Sequence, residues 1–312
     1  MIQLKKPKAL KAGARVAVVS PASAARAELV ETGMQHLREL GYAPVLFPSA
    51  LARGPLYYAG TAEQRVADLH AAFADPSIDA ILCTRGGWGS AELLPLLDAE
   101  LIRAHAKPFV GYSDHTSLHI WLQQVTGMVT FYGPMVAADF SRPDGAEMTS
   151  WQNALAGAES WSLGSEQGLR ALRPGTTEGV FTGGCLSIFA EALGTPYAPV
   201  MKDSILFLED VGTKPYQWDR MLLHLRYAGV LDEVRGIVFG DMRQCCAPEE
   251  DALLESALLH ALRDFKGPIA IGLKSGHVSE GNVTVPLGIR ARLDLKSVAG
   301  PRVEFLEAAV TV

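Results

Sequence analysis

The sequence predicts an α/β protein built around an open, largely parallel sheet with helices on both faces, followed by a second α/β domain. Three observations carry that prediction. Short apolar runs alternate with helix-patterned segments through the first half. The runs are apolar on consecutive residues, as expected of strands buried on both faces. Polar or glycine-rich turns follow directly after them, where open α/β sheets collect ligands.

Taken in order, residues 15–20 read as a strand and 29–40 as a helix closed by Gly41, with 43–47 the next strand. Residues 61–74 have the caps and periodicity of a helix. A strand over 80–83 ends in Arg85-Gly86-Gly87-Trp88-Gly89, and 90–97 is helical again. Residues 107–110 and 129–132 supply further strands. Between them, Leu118, Trp121, Leu122 and Val125 fall at helical spacing. From about 141 to 174 the pattern weakens into Pro-, Gly- and Ser-rich stretches around one short helix. This places an N-terminal domain over 1–150, a linker over 151–172 and a C-terminal domain over 173–312. In the latter, strands are expected at 179–182, 205–208, 236–239, 269–271 and 283–285, with helices at 186–193 and 220–226.

Composition narrows the function. Of 312 residues, 48% are hydrophobic and 20% charged, which excludes disordered and fibrous classes. A net charge of −6 provides no broad positive field, so nucleic acid is not the expected partner and a small ligand is. No apolar stretch reaches membrane-spanning length, and four lysines before Ala12 lack the apolar run of a signal peptide. The four cysteines form no C-x-x-C pair, and Cys245 and Cys246 are adjacent. A reduced, cytoplasmic setting without structural zinc is expected.

The strand-end rule nominates four places: Ser113 after Phe109-Val110, Arg85-Gly86-Gly87 after Ile81-Leu82-Cys83, Glu209-Asp210 after 205–208, and His277 after 269–273. They hold a hydroxyl, a carboxylate and an imidazole. A serine needs a base near neutral pH, and that base needs a carboxylate to fix its tautomer. Gly111-x-Ser113 is half of a nucleophile elbow, with His115 in place of the downstream glycine. Ser113 could instead cap the following helix. His115 and His119 compete for the role of base, although a structural role suits them better. Cys185, after two glycines and before a helix, is a rival nucleophile or a small buried side chain. The glycines of the 85–89 turn allow backbone amides to approach a ligand. Neither G-x-G-x-x-G nor a P-loop is present, and no cofactor is expected.

Together these segments resemble the LD-carboxypeptidases of the S66 serine peptidase type, a family that includes microcin C immunity peptidases. The likeness is carried by Arg85-Gly86-Gly87-Trp88-Gly89, Gly111-Tyr112-Ser113-Asp114, Tyr132-Gly133-Pro134-Met135 and Gly183-Gly184-Cys185-Leu186-Ser187. It continues through Gly194-Thr195-Pro196-Tyr197, Phe207-Leu208-Glu209-Asp210, and Gly276-His277 with Asn282 and Pro286-Leu287-Gly288. The resemblance implies a flavodoxin-like N-terminal domain carrying the nucleophile and a smaller C-terminal α/β domain carrying the other two triad members. It implies a triad of Ser113, Glu209 and His277, an oxyanion hole from the amides of Gly87 and Asp114, and substrate contacts at Arg85, Gly86 and Trp88. A homodimer and no metal are also implied.

The expected reaction is removal of a C-terminal D-alanine from a murein tetrapeptide. Cleavage of an aminoacyl-nucleotide peptide is the alternative within the family, and a non-catalytic cell-wall peptide binder the alternative outside it. Arg85, Lys214, Arg243 and Lys274 are candidate partners for the substrate carboxylate. Trp88 and Trp218 are candidates to stack on a nucleobase. Two positions depart from the family pattern: Trp88 replaces a common tyrosine, and Cys185 a common asparagine.

Overall fold

Consecutive apolar residues form the strands where the pattern predicts them. In the computed structural model, which describes residues 4–312, β1 (Arg15–Val19) is followed by α1 (Ala27–Glu39), β2 (Ala43–Leu46) and α2 (Ala62–Ala74). β3 (Ala80–Cys83), α3 (Ser90–Leu93), α4 (Ala99–Ala104), β4 (Phe109–Gly111), α5 (Thr116–Trp121), β5 (Thr130–Tyr132) and α6 (Met148–Ala156) complete the first half. Next come β6 (Trp161–Leu163), β7 (Arg170–Arg173), β8 (Thr176–Cys185), α7 (Leu186–Glu191), β9 (Ser204–Glu209), α8 (Pro215–Tyr227) and β10 (Val234–Gly240). The chain ends with α9 (Asp251–Ala261), β11 (Ile269–Leu273), β12 (Val285–Leu287), β13 (Ile289–Asp294) and β14 (Arg302–Phe305).

Two compact units result. The first holds the chain up to Ala158 together with Glu280–Gly288 and Ala308–Val312, and the second holds Glu159–Ser279 and Ile289–Glu307. This redraws the expected boundaries. The stretch 151–172, expected as a linker, contains most of α6, β6 and the start of β7. Residues 280–288 and 308–312, expected in the C-terminal domain, belong to the first unit: β12 pairs antiparallel with β5, Val285 opposite Tyr132, and Thr311 exchanges backbone hydrogen bonds with Pro7 and Ala9, each at 2.8 Å.

The first unit has the flavodoxin strand order: β2, β1, β3, β4 and β5 run parallel, and β12 closes the far edge. Val16, Val18, Ile81, Leu82 and Phe109 are wholly buried, each side chain contributing roughly 1.5–3 kcal/mol. Thr61 and Gln64 close a reciprocal cap at the start of α2, with N–H to oxygen distances of 2.9 and 3.3 Å. That helix lays Val66, Leu69 and Phe73 into the core. Two predicted helices are shorter than expected. Pro95 interrupts 90–97, so α3 stops at Leu93 and a tighter 3₁₀ turn follows. The helix through Trp121 widens into a π turn over Leu122–Thr126 before Gly127.

The second unit is built on one eight-stranded sheet in the order β6-β14-β13-β8-β9-β10-β11-β7. Its centre, β8 to β11, is parallel, and antiparallel pairs flank it on both sides. Ile205 to Leu208 on β9 and Ile237 to Phe239 on β10 are fully buried. The carboxyl ends of β8, β9, β10 and β11 bring Cys185, Glu209, Asp241 and the loop to His277 to one edge.

Candidate active site

In the first unit the chemistry gathers at the carboxyl ends of β1, β3 and β4. β4 ends at Gly111, and two residues later Ser113 adopts φ 66°, a left-handed conformation that costs a non-glycine residue on the order of 1–3 kcal/mol. A single 3₁₀ turn and then α5 follow. This is the strand, sharp turn and helix of a nucleophile elbow, even though the downstream glycine is missing. Ser113 does not cap the helix: no side-chain cap is present there. Its own amide donates to the Tyr132 phenol oxygen at 3.0 Å.

The glycine turn lies directly against the serine. A Cβ at Gly86 would stand 2.8 Å from Ser113 Cβ and 3.0 Å from its Oγ, so only glycine fits. Gly87 is left-handed at φ 106°, and a Cβ there would meet Ser23 Cβ at 2.8 Å. Ser23 also fixes the turn through its hydroxyl, which accepts the Trp88 amide at 3.0 Å. Among the described residues neither the Gly87 nor the Asp114 amide donates to a protein acceptor. Arg85 and Trp88 are exposed, the latter by 56%.

Two buried groups hold this turn from behind. The Asp114 carboxylate accepts the Ser90 amide at 2.8 Å, and burial raises its pKa. Arg65, fully buried, donates to the carbonyls of Pro21 at 3.0 Å and Gly89 at 2.9 Å, pairs with Glu92, and lies 4.9 Å from the centre of the Tyr58 ring. Sequence reasoning missed Ser23, Arg65 and Tyr132 as site-shaping residues. Ser23 carried a usable signal, since it follows the apolar run of β1 as Ser113 follows β4.

His115 and His119 are structural. Both are fully buried, and His119 Nε2 contacts the Gly111 carbonyl at 2.8 Å. Burial lowers the pKa of His115 to about 3, with His119 adding to the effect, and lowers that of His119 to about 4.

In the second unit, His277 Nδ1 lies 2.8 Å from Glu209 Oε2 and 3.2 Å from Oε1, and the His277 amide donates to the same Oε2 at 3.0 Å. The carboxylate is almost fully buried. It places the ring proton on Nδ1, which makes Nε2 the basic nitrogen. Gly276, at φ 93°, makes this approach possible, because a Cβ there would stand 2.7 Å from Glu209 Oε2.

Cys185 sits opposite Glu209 across β8 and β9 and is buried. Burial and the Glu209 and Asp210 charges hold its pKa well above the ordinary thiol value, so it is a thiol and not a thiolate nucleophile. Arg243 donates to the Val278 carbonyl at 3.3 Å, and its charge and that of Lys274 act on the carboxyl of Asp241, which is exposed at the surface. Lys214 is exposed at the start of α8. Trp218 is no stacking surface: it is fully buried, edge-on to Phe239 at 5.7 Å. Among the described residues no group of three or more His, Cys, Asp and Glu side chains is arranged to hold a metal, and no helix is long and apolar enough to cross a membrane.

Comparison with known proteins agrees with this architecture. The LD-carboxypeptidase N-terminal domain matches residues 16–133 and the LD-carboxypeptidase C-terminal domain residues 178–293. The chain is 37% identical over 293 residues to a probable murein peptide carboxypeptidase of Bacillus subtilis (strain 168), covering 93% of this chain and 91% of that protein. It is 32% identical over 290 residues to the murein tetrapeptide carboxypeptidase of Pseudomonas aeruginosa, covering 90% and 93%. Among solved structures, a MccF-like protein from Bacillus anthracis superposes with a TM-score of 0.85 at 30% identity, over 96% of this chain and 99% of that one. The muramoyltetrapeptide carboxypeptidase from Oxalobacter formigenes gives 0.82 at 27% identity, over 95% and 100%. With both family domains matched in order and relatives aligned over nine-tenths of its length, the chain belongs to the LD-carboxypeptidase family.

Proposed function

We propose that this protein is a serine carboxypeptidase that removes the terminal D-alanine of murein tetrapeptides, with Ser113 as nucleophile, His277 as base and Glu209 as its orienting carboxylate. The observation that carries the reading is the left-handed Ser113 at the end of β4, seated on Gly86. Strain of that kind on a part-buried, hydroxyl-bearing residue needs a reason, and the work of a nucleophile supplies one.

The chemistry follows from the groups. Ser113 Oγ attacks the carbonyl carbon of the last peptide bond while His277 Nε2 takes its proton. The developing oxyanion is held by the amides of Gly87 and Asp114. His277, its charge balanced by Glu209, passes the proton to the nitrogen of the departing D-alanine, and the carbon–nitrogen bond breaks. Water, deprotonated by the same imidazole, then adds to the ester, and collapse returns the proton to Ser113 Oγ with release of the tripeptide. Arg85 is proposed to contact the terminal carboxylate, with Gly86 and Trp88 lining the same place. A cytoplasmic homodimer is the proposed working form.

Mass spectrometry of tetrapeptides ending in D- or L-alanine tests this reading. Loss of one alanine from the D form alone is the expected result; an unchanged D-terminated peptide overturns the substrate assignment. One observation favours a second substrate class. The exposed indole of Trp88, next to Gly87, presents a face on which a nucleobase could stack. An aminoacyl-nucleotide peptide in the same assay measures that reading directly.

A further inference from the structure

Resting on the assignment of Ser113 as nucleophile, we propose that Tyr132 is a positioning residue for acylation, its phenol oxygen holding the Ser113 peptide in its left-handed conformation. The Ser113 amide donates to that oxygen at 3.0 Å. Tyr132 is wholly buried on β5 and lies beside Gly111 of β4 in the register of the sheet, so the phenol is fixed by the scaffold.

A matching contact grips the other side of the turn. His119 Nε2 meets the Gly111 carbonyl at 2.8 Å, and because a carbonyl can only accept, the ring donates this hydrogen bond. The Tyr132 ring leans on His119 at 5.6 Å and on Tyr112 at 6.1 Å between ring centres. The peptide groups on the two sides of Tyr112 are thus held from beneath by neighbouring aromatic residues. With the phenol gone, the Ser113 N–H loses its acceptor, and rotation of the 112–113 peptide is the direct way to recover one. That rotation changes φ of Ser113 and swings Cβ and Oγ away from their place on Gly86. Attack geometry suffers; substrate contacts do not.

The test is Tyr132→Phe, read by the rate at which a fluorophosphonate labels Ser113 and by kcat and KM on the tetrapeptide. The expected result is a tenfold or larger fall in both labelling rate and kcat, with KM within threefold of the parent. A labelling rate and kcat equal to the parent, normalised to folded protein, overturns the proposal. Should the variant fail to fold, 3-fluorotyrosine at position 132 keeps the ring's shape with a weaker acceptor, assayed below neutral pH so that the phenol stays protonated. A fall in the labelling rate supports the proposal, and an undiminished rate overturns it. If the parent protein hydrolyses tetrapeptide yet Ser113 is never labelled, the nucleophile assignment fails first, a result distinct from loss of the Tyr132 effect alone.

Discussion

The carboxylate of Asp114 accepts a 2.8 Å hydrogen bond from the amide of Ser90, tying the turn that carries Ser113 to the end of the glycine turn 85–89. One buried side chain therefore sets the spacing of both proposed oxyanion donors. Asp114→Ala leaves the Ser90 N–H unsatisfied, at a cost of about 1–3 kcal/mol. The expected outcome is a melting temperature lower by several degrees and kcat reduced at least tenfold. Asp114→Asn keeps an acceptor in place and should retain most of the stability, as thermal denaturation of the two variants will show.

In the proposed mechanism Glu209 acts through His277, whose Nδ1 it contacts at 2.8 Å. Glu209→Gln presents an amide where the ring needs a carboxylate, which favours the wrong tautomer and removes the charge that balances the imidazolium. A fall in kcat of about 10²–10⁴ with little change in KM is expected from steady-state kinetics. Gly276→Ala should cost activity as well, because its methyl would occupy space already taken by the Glu209 carboxylate.

Thiol chemistry should be silent. Cys185 is buried and held protonated, so iodoacetamide near neutral pH should leave activity intact, with Cys246, the one cysteine not fully buried, modified first. Peptide mapping alongside the activity assay checks this. Inactivation that tracks modification of Cys185 would contradict it.

Acid should destabilise the first unit. His115 and His119 have folded-state pKa values near 3 and 4, below the ordinary 6.5, so between those limits the unfolded chain binds protons that the folded chain refuses. Their stabilising effect is full above about pH 6.5 and is lost as pH falls towards 4, on the order of 3 kcal/mol for each ring. Asp139 works in the opposite sense, since burial raises it to about 6 and favours its protonated form. Melting temperature measured against pH should fall from 6.5 to 4, and His115→Leu should flatten the slope. A flat profile in the parent protein would refute the assignment of both histidines as buried and neutral.

Much of this architecture is legible in the sequence because its strands are buried on both faces. Residues 80–83 and 205–208 are apolar without interruption, and the structure makes each a strand or the body of one. The same logic nominates Ser113, Glu209 and His277 for the proposed site, each a polar residue after an apolar run. Long-range pairing was not legible. β12 joins the first sheet through Tyr132, a partner far away in the chain, and no local pattern announces that return. β13 and β14 alternate buried and half-buried residues, a weaker signal than a continuous apolar run, and they went unforeseen. Arg65 reads as an ordinary charged residue on a helix. Only the fold reveals that its guanidinium is buried and holds carbonyls from two separate loops.

The most direct measurement is rapid-quench mass spectrometry of the protein mixed with tetrapeptide. A transient adduct equal to the peptide minus its terminal alanine, mapped to the fragment containing Ser113 and absent in Ser113→Ala, is the predicted result. Normal turnover by Ser113→Ala, or an adduct mapped to Cys185, would contradict the account.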